Sequence, residues 1–160
     1  MSDALLAPEI DARTRAAFEA HGFMRLLGAR ITALAPGLCE VRLPFSPSLT
    51  QHHGYFHAGV SAAIADSAAG CAAYTLMDPT SSLVSVEYKI NLLAPARGRE
   101  LITRARVVRP GKTLTICAAD VYCREGEEET LCATTLTTIM ELKERTPSSA
   151  AEEPPRGGSR

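Results

Sequence analysis

No charge of one sign predominates in this sequence: 17 Lys and Arg stand against 18 Asp and Glu, a formal net charge of -1 over 160 residues. Chains that bind nucleic acid or anionic membranes carry a basic excess, so neither partner is expected here. Paired C-x-x-C spacing is also missing. The five cysteines, Cys39, Cys71, Cys117, Cys123 and Cys132, are scattered through apolar segments. That argues against a zinc site and a disulfide framework, and for small buried hydrophobes. The N-terminus, MSDALLAPEIDARTRAAFEA, has early acidic residues and no basic region ahead of an apolar core, so the expectation is a cytoplasmic protein without a secretory signal. No internal repeat is visible, and the length suits one domain with a real core.

What is present is concentrated in residues 51–77, QHHGYFHAGVSAAIADSAAGCAAYTLM. Between Ala58 and Thr75 the only charged residue is Asp66, among small and apolar side chains that suit a helix covered on its whole circumference. The run is near the minimum length for crossing a membrane, but it is rich in Ala and Gly and has Asp66 near its middle, so a soluble central helix is expected. Burying a carboxylate without partners is costly. Asp66 is therefore either a functional group or one paired with a basic side chain or capping a neighbouring element.

The remaining segments predict an α+β fold. Helix-forming sequence begins at Pro8, with Ile10, Ala17 and Phe18 on one side and Gly22 near its end, giving an N-terminal helical segment over residues 1–27. Residues 30–44 read as two short strands around Pro36-Gly37, and FSPSLTQHHGYF as a loop into the central helix. Asp78-Pro79 stops that helix. In LVSVEYKINLL the alternation places Val84, Val86, Tyr88, Ile90 and Leu92 on one face and Ser85, Glu87, Lys89 and Asn91 on the other. Strands at 100–108, 113–123 and 129–142 follow, joined by turns at 109–112 and 125–128, with a bulge expected near Ala118-Ala119. These elements make an antiparallel sheet of five or six strands wrapped around one long helix, in a domain over residues 1–145. The tail over residues 146–160, rich in Pro, Ser and Gly, is expected to be disordered. One long helix leaves sheet edges and a face uncovered, which predicts an oligomer.

Gln51, His57, the amides of Ala58 and Gly59, and Asp66 form the candidate site. A helix beginning near Ala58 has unpaired N–H groups and a positive dipole end, suited to a carbonyl oxygen becoming an oxyanion. Gln51 could add a donor. Asp66 lies eight residues further on, about 12 Å along the axis. If both serve one reaction centre, the carboxylate comes from a second subunit with an antiparallel helix. His57 reads as an orienting, helix-start residue more than as a general base. His52, His53 and His57 in a loop are a weak metal signal, and no metal is expected.

HAGVSAAIADSAAG resembles the His-Gly-Gly followed by Asp signature of hotdog-fold acyl-CoA thioesterases, in the branch typified by the phenylacetate-pathway thioesterase. VSVEYKINLLAPARG is similar to the strand and turn that follow in that branch. The resemblance runs from about Leu27 to Leu142. It implies hydrolysis of an acyl-CoA to free acid and coenzyme A, with the acyl group leaning to aryl or medium-chain and no cofactor beyond the substrate's own coenzyme A. Asp66 falls on the catalytic carboxylate, acting as nucleophile or general base, and Gln51 on the side chain that helps hold the thioester carbonyl or the water. Ala58 falls on the glycine whose N–H faces the thioester oxygen, a departure that keeps the amide and adds a methyl. Ser85 falls where relatives carry a hydroxyl near the attacking water. Arg109 and Lys112 are candidates for the coenzyme A phosphates, and Phe56, Tyr74 and Tyr88 for an aryl pocket. The implied assembly is a homodimer that completes the active site, and from it a homotetramer. Two other readings stay open: a hotdog enoyl-CoA hydratase or dehydratase, and a non-catalytic acyl-CoA-binding module.

Overall fold

The computed structural model describes residues 5–143. The expected boundary at residue 145 and the tail over residues 146–160 lie outside them. The elements in order are α1 (Pro8–Ala20), α2 (Gly22–Leu27), β1 (Arg30–Ala35), β2 (Leu38–Pro44), a short 3-10 turn (Pro47–Leu49), α3 (Ala58–Tyr74), β3 (Ser82–Leu92), β4 (Glu100–Arg109), β5 (Leu114–Glu125) and β6 (Glu128–Leu142).

The N-terminal segment forms two helices. Pro8 starts α1, where its missing N–H is harmless, and Glu9 and Asp11 meet the positive end of the dipole. His21 then turns extended and Gly22 restarts the chain as α2. The glycine that ends helical structure is therefore Gly28, at φ 80°, and not Gly22 as the sequence suggested. Arg13 ties α1 to the far end of α3. Its guanidinium donates to the carbonyls of Tyr74 at 2.8 Å, Met77 at 3.2 Å and Asp78 at 2.9 Å, and lies over the Tyr74 ring.

All six strands form one antiparallel sheet in the order β1-β2-β4-β5-β6-β3. The odd residues of β5, Thr115 to Cys123, are buried against α3. Ala65, Ala68, Ala69, Ala72 and Ala73 meet the sheet fully buried, because small side chains let a helix approach closely. All five cysteines are free and buried. Burial pushes the thiols of Cys117 and Cys132 up to about 11 and is the main cause of the rise at Cys123 to about 12, so they are inert parts of the core.

Two sequence expectations change on pairing. Alternation in β5 runs unbroken through Ala118-Ala119, which merely has alanine on both faces; the irregularity lies further on, between Val121 and Tyr122 against β6. In β3 the register against β6 shifts between Ser85 and Glu87, leaving Val86 as an extra residue. Directly opposed residues share a face. Ser85 opposes Ile139 and Tyr88 opposes Thr137, both buried against the helix side. The bulge thus puts Ser85 on the helix-facing side together with Tyr88, Ile90 and Leu92, and separates it from Glu87.

β3 is an edge strand of 11 residues. Val86, Tyr88 and Leu92 are 48%, 50% and 59% exposed. Over the same region α3 leaves Ala62, Ala63, Asp66 and Ser67 only half-buried. The helix is therefore covered by the sheet and α1 but not, within one chain, around its whole circumference.

Candidate active site

The loop before α3 is tied into a tight turn. The Gln51 N–H donates to the Tyr55 carbonyl and the Gly54 N–H to the Gln51 carbonyl, with Gly54 at φ 82°. Phe56 and His57 are pinned by donation to the carbonyls of Ala96 and Leu49. This fixes where α3 begins. His57 is its N-cap, and its Nδ1 accepts from the Gly59 N–H at 2.9 Å. The ring sits so close that a Cβ on Gly59 would lie 3.0 Å from Nδ1, so glycine suits this position for the cap itself.

That cap divides the two amides the sequence proposed together. The Gly59 N–H is engaged by His57, whereas the Ala58 N–H has no acceptor among the described residues. Ala58 is exposed and lines a cavity of about 690 Å³ with Gln51, Tyr55, His57, Ser61 and the 92–96 loop. Gln51 accepts from the His53 N–H at 2.7 Å through Oε1, leaving its carboxamide nitrogen to donate. An N–H at a helix start and an amide donor facing one space can together stabilise a developing oxyanion. Phe56 borders this cavity but is 2% exposed and packs edge-to-face on Phe45, centroids 5.4 Å apart; its main contacts are core.

Asp66 lies elsewhere. Its Oδ1 accepts from the Ser85 hydroxyl at 2.7 Å, a contact that exists because of the bulge at Val86. The pair opens on a second cavity of about 350 Å³, walled by Ala17, Phe18, His21, Gly70, Tyr74 and Leu83 among others. No cation partners the carboxylate among the described residues, so the reading of Asp66 as one half of a salt bridge is not what the structure contains. Held by one hydroxyl at an apolar wall, it can act on a water or an electrophile with its second oxygen.

Within one chain, then, Gln51, His57 and Ala58 share one cavity, while Asp66, Ser85 and Tyr74 share another. Arg109, the last residue of β4, and Lys112, in the turn after it, are exposed and border neither. A different cation does approach the larger cavity: Arg97 lies over the ring of Tyr55, 5.3 Å from its centroid. Arg97 follows Pro95-Ala96 in a turn, where a solvated charge is the default for a cation. The contributions of α1 to the second cavity, Ala17 and Phe18, and that of His21 just after it were also missed, because nothing in a helix's own periodicity says which cavity it closes. Among the described residues no cluster of three or more His, Cys, Asp or Glu is placed to hold a metal, and no helix is long and apolar enough to cross a membrane.

Comparison with known proteins points one way. The family model described as thioesterase superfamily matches residues 53–130. The solved structure of a thioesterase family protein from Silicibacter pomeroyi is 41% identical, with a TM-score of 0.82, over 84% of this chain and 98% of that one. A 1,4-dihydroxy-2-naphthoyl-CoA hydrolase of Listeria monocytogenes is 24% identical over 124 residues, 78% of this chain and 99% of the relative. The PaaI protein of the phenylacetic acid degradation operon of E. coli, at 18% identity and a TM-score of 0.76 over 86% of this chain and 96% of its own, shares the fold. The sheet wrapped around α3 is thus the hotdog fold that the resemblance implied.

Proposed function

This chain belongs to the thioesterase superfamily and is a thioester hydrolase, and we propose that its substrate is an acyl-CoA with a compact acyl group, aryl or medium-chain. The observation that carries the reading is the division of the machinery between two cavities. An unpaired helix-start N–H, at Ala58, faces one, and a hydroxyl-held carboxylate, Asp66, faces the other. Two copies paired antiparallel along the exposed edge of β3 would bring the loop cavity of one protomer against the Asp66 cavity of its partner. The long apolar edge supports that pairing, since such an edge left open invites association.

In this arrangement the thioester carbonyl points at the Ala58 N–H and the Gln51 carboxamide. The partner's Asp66 approaches the carbonyl carbon from the other side. It either attacks the carbon, expelling the coenzyme A thiolate and forming an acyl anhydride that water opens, or takes a proton from a water that attacks. In both routes the sulfur leaves as thiolate and the acyl group leaves as carboxylate. Ser85 holds the carboxylate in its attacking orientation. The pantetheine arm and nucleotide would lie in the larger cavity, which His52, His53 and Tyr55 line, with Arg97 over the Tyr55 ring; Arg109 and Lys112 line neither cavity. The match to a hydrolase of an aromatic acyl-CoA supports the aryl lean.

The test is thiol release over short, medium, long and aromatic acyl-CoAs, run beside Asp66→Asn. The variant should fold and bind as the wild type does, with kcat lower by about three orders of magnitude or more. Unchanged turnover in Asp66→Asn would remove the role assigned to it. Loss of enoyl absorbance without thiol release would identify a hydratase.

A further inference from the structure

The second cavity contains a residue that neither the helix nor the packing requires. Gly70 lies inside α3, where glycine is less favourable than alanine because it frees the unfolded backbone. Its φ is not in the left-handed region, unlike Gly28, Gly37, Gly54, Gly98 and Gly126. A Cβ at Gly70 would meet only the Leu83 Cδ1, at 3.5 Å, an ordinary van der Waals contact. Alanine, which α3 uses at the neighbouring positions 68, 69, 72 and 73, would fit without strain.

What the missing side chain leaves is room on the reacting side. Asp66, Gly70 and Tyr74 are spaced by four residues and line one wall of the cavity of about 350 Å³. Ala17 and Phe18 of α1 and Leu83 of β3 line it too. The Tyr74 ring carries the Arg13 guanidinium at 4.1 Å from its centroid. From Asp66 to Tyr74 is about 12 Å along the axis, and the volume sits at the low end of small-molecule pockets, about 300–1,000 Å³.

We propose that this cavity is the acyl pocket and that Gly70 is its specificity-determining residue, admitting aryl and medium-chain acyl groups that a methyl at this position would exclude. The proposal rests on the acyl-CoA hydrolase reading above. A cavity of about 350 Å³ is too small for a long-chain acyl group, and acetyl leaves the space beside Gly70 unfilled.

The experiment compares wild type with Gly70→Ala on acetyl-, hexanoyl-, phenylacetyl- and palmitoyl-CoA by thiol release, with thermal unfolding of both. Gly70→Ala should melt at the same or a higher temperature, and its kcat/KM should shift against the larger acyl groups relative to acetyl-CoA. It should lose about tenfold or more on hexanoyl- or phenylacetyl-CoA, the scale of one methylene in an apolar pocket. An equal change on every substrate, or none, overturns the proposal. Calorimetric binding of the matching non-hydrolysable CoA thioethers reads the pocket independently of turnover. If wild type releases no thiol from any acyl-CoA, the hydrolase reading on acyl-CoA fails. In that event a selective weakening of the larger thioethers in Gly70→Ala still supports the pocket, and equal affinities in both proteins still overturn it.

Discussion

At the residue scale, the departure from the family pattern at Ala58 turns out to be a test position. Its N–H is unpaired while that of Gly59 is held by His57 Nδ1, and its methyl is exposed, so the extra carbon supports no packing within the chain. Ala58 is the first residue of α3 and His57 before it is extended, at φ -67° and ψ 140°. Both conditions favour proline, which would delete the N–H and change little else. Ala58→Pro is expected to keep the melting temperature of the wild type and lose about 10²–10³ in kcat, the effect of removing one oxyanion donor. Steady-state kinetics beside thermal unfolding checks this. A Pro variant with wild-type kcat would place the oxyanion elsewhere.

At the element scale, Arg13 joins α1 to the end of α3, donating to the carbonyl of Tyr74, the last residue of the helix, and to those of Met77 and Asp78 in the turn beyond it. A cation there also opposes the negative end of the dipole. Arg13→Gln should destabilise the fold by about 1–3 kcal/mol, as lost charged hydrogen bonds do, read by urea unfolding. Because α1 supplies Ala17 and Phe18 to the smaller cavity, the same variant should raise KM for the larger acyl groups while leaving kcat on acetyl-CoA near that of wild type. A purely structural Arg13 would lower stability without that split. Helix α1 was legible in the sequence from its proline start and apolar side; its clamp was not, since Arg13 and Tyr74 are 61 residues apart.

At the scale of the whole molecule, the shared-site reading predicts complementation. Ala58→Pro and Asp66→Asn proteins, each inactive alone, should regain activity when unfolded together and refolded. Mixed dimers then pair an intact Ala58 N–H from one protomer with an intact Asp66 from the other. Activity that stays at the level of the separate variants would mean that each chain carries a complete site. A second prediction concerns acid. On the outer sheet face Arg104 bridges Glu40 and Glu129. Burial tends to raise the Glu40 carboxyl, but donations from Thr32, Arg42 and Arg104 outweigh it and hold it below its ordinary 4.5. Donation from Arg104 holds Glu129 below the same value. A depressed folded-state value means that the unfolded chain takes up protons first as pH falls. The stabilisation is complete above about 4.5 and is lost as pH drops through the folded values. Glu40→Gln should therefore show a shallower loss of stability than wild type between neutral pH and about pH 3, measured by urea unfolding.

The helix at α3, its single carboxylate, the loop ahead of it and the strands after Asp78 could all be read from composition and period, because those signals lie within each segment. The 12 Å offset between Ala58 and Asp66 was also legible, since helical rise is a local property. The position of Ser85 was not. A period-two reading put it opposite Tyr88 in orientation, and the extra residue at Val86 reversed that by pairing with β6 about 50 residues away in the chain. The engagement of the Gly59 amide by His57 and the space beside Gly70 were hidden for the same reason. A segment's sequence states which face it prefers to bury. Which atoms then meet across that face depends on the register of strands and helices brought together from distant parts of the chain.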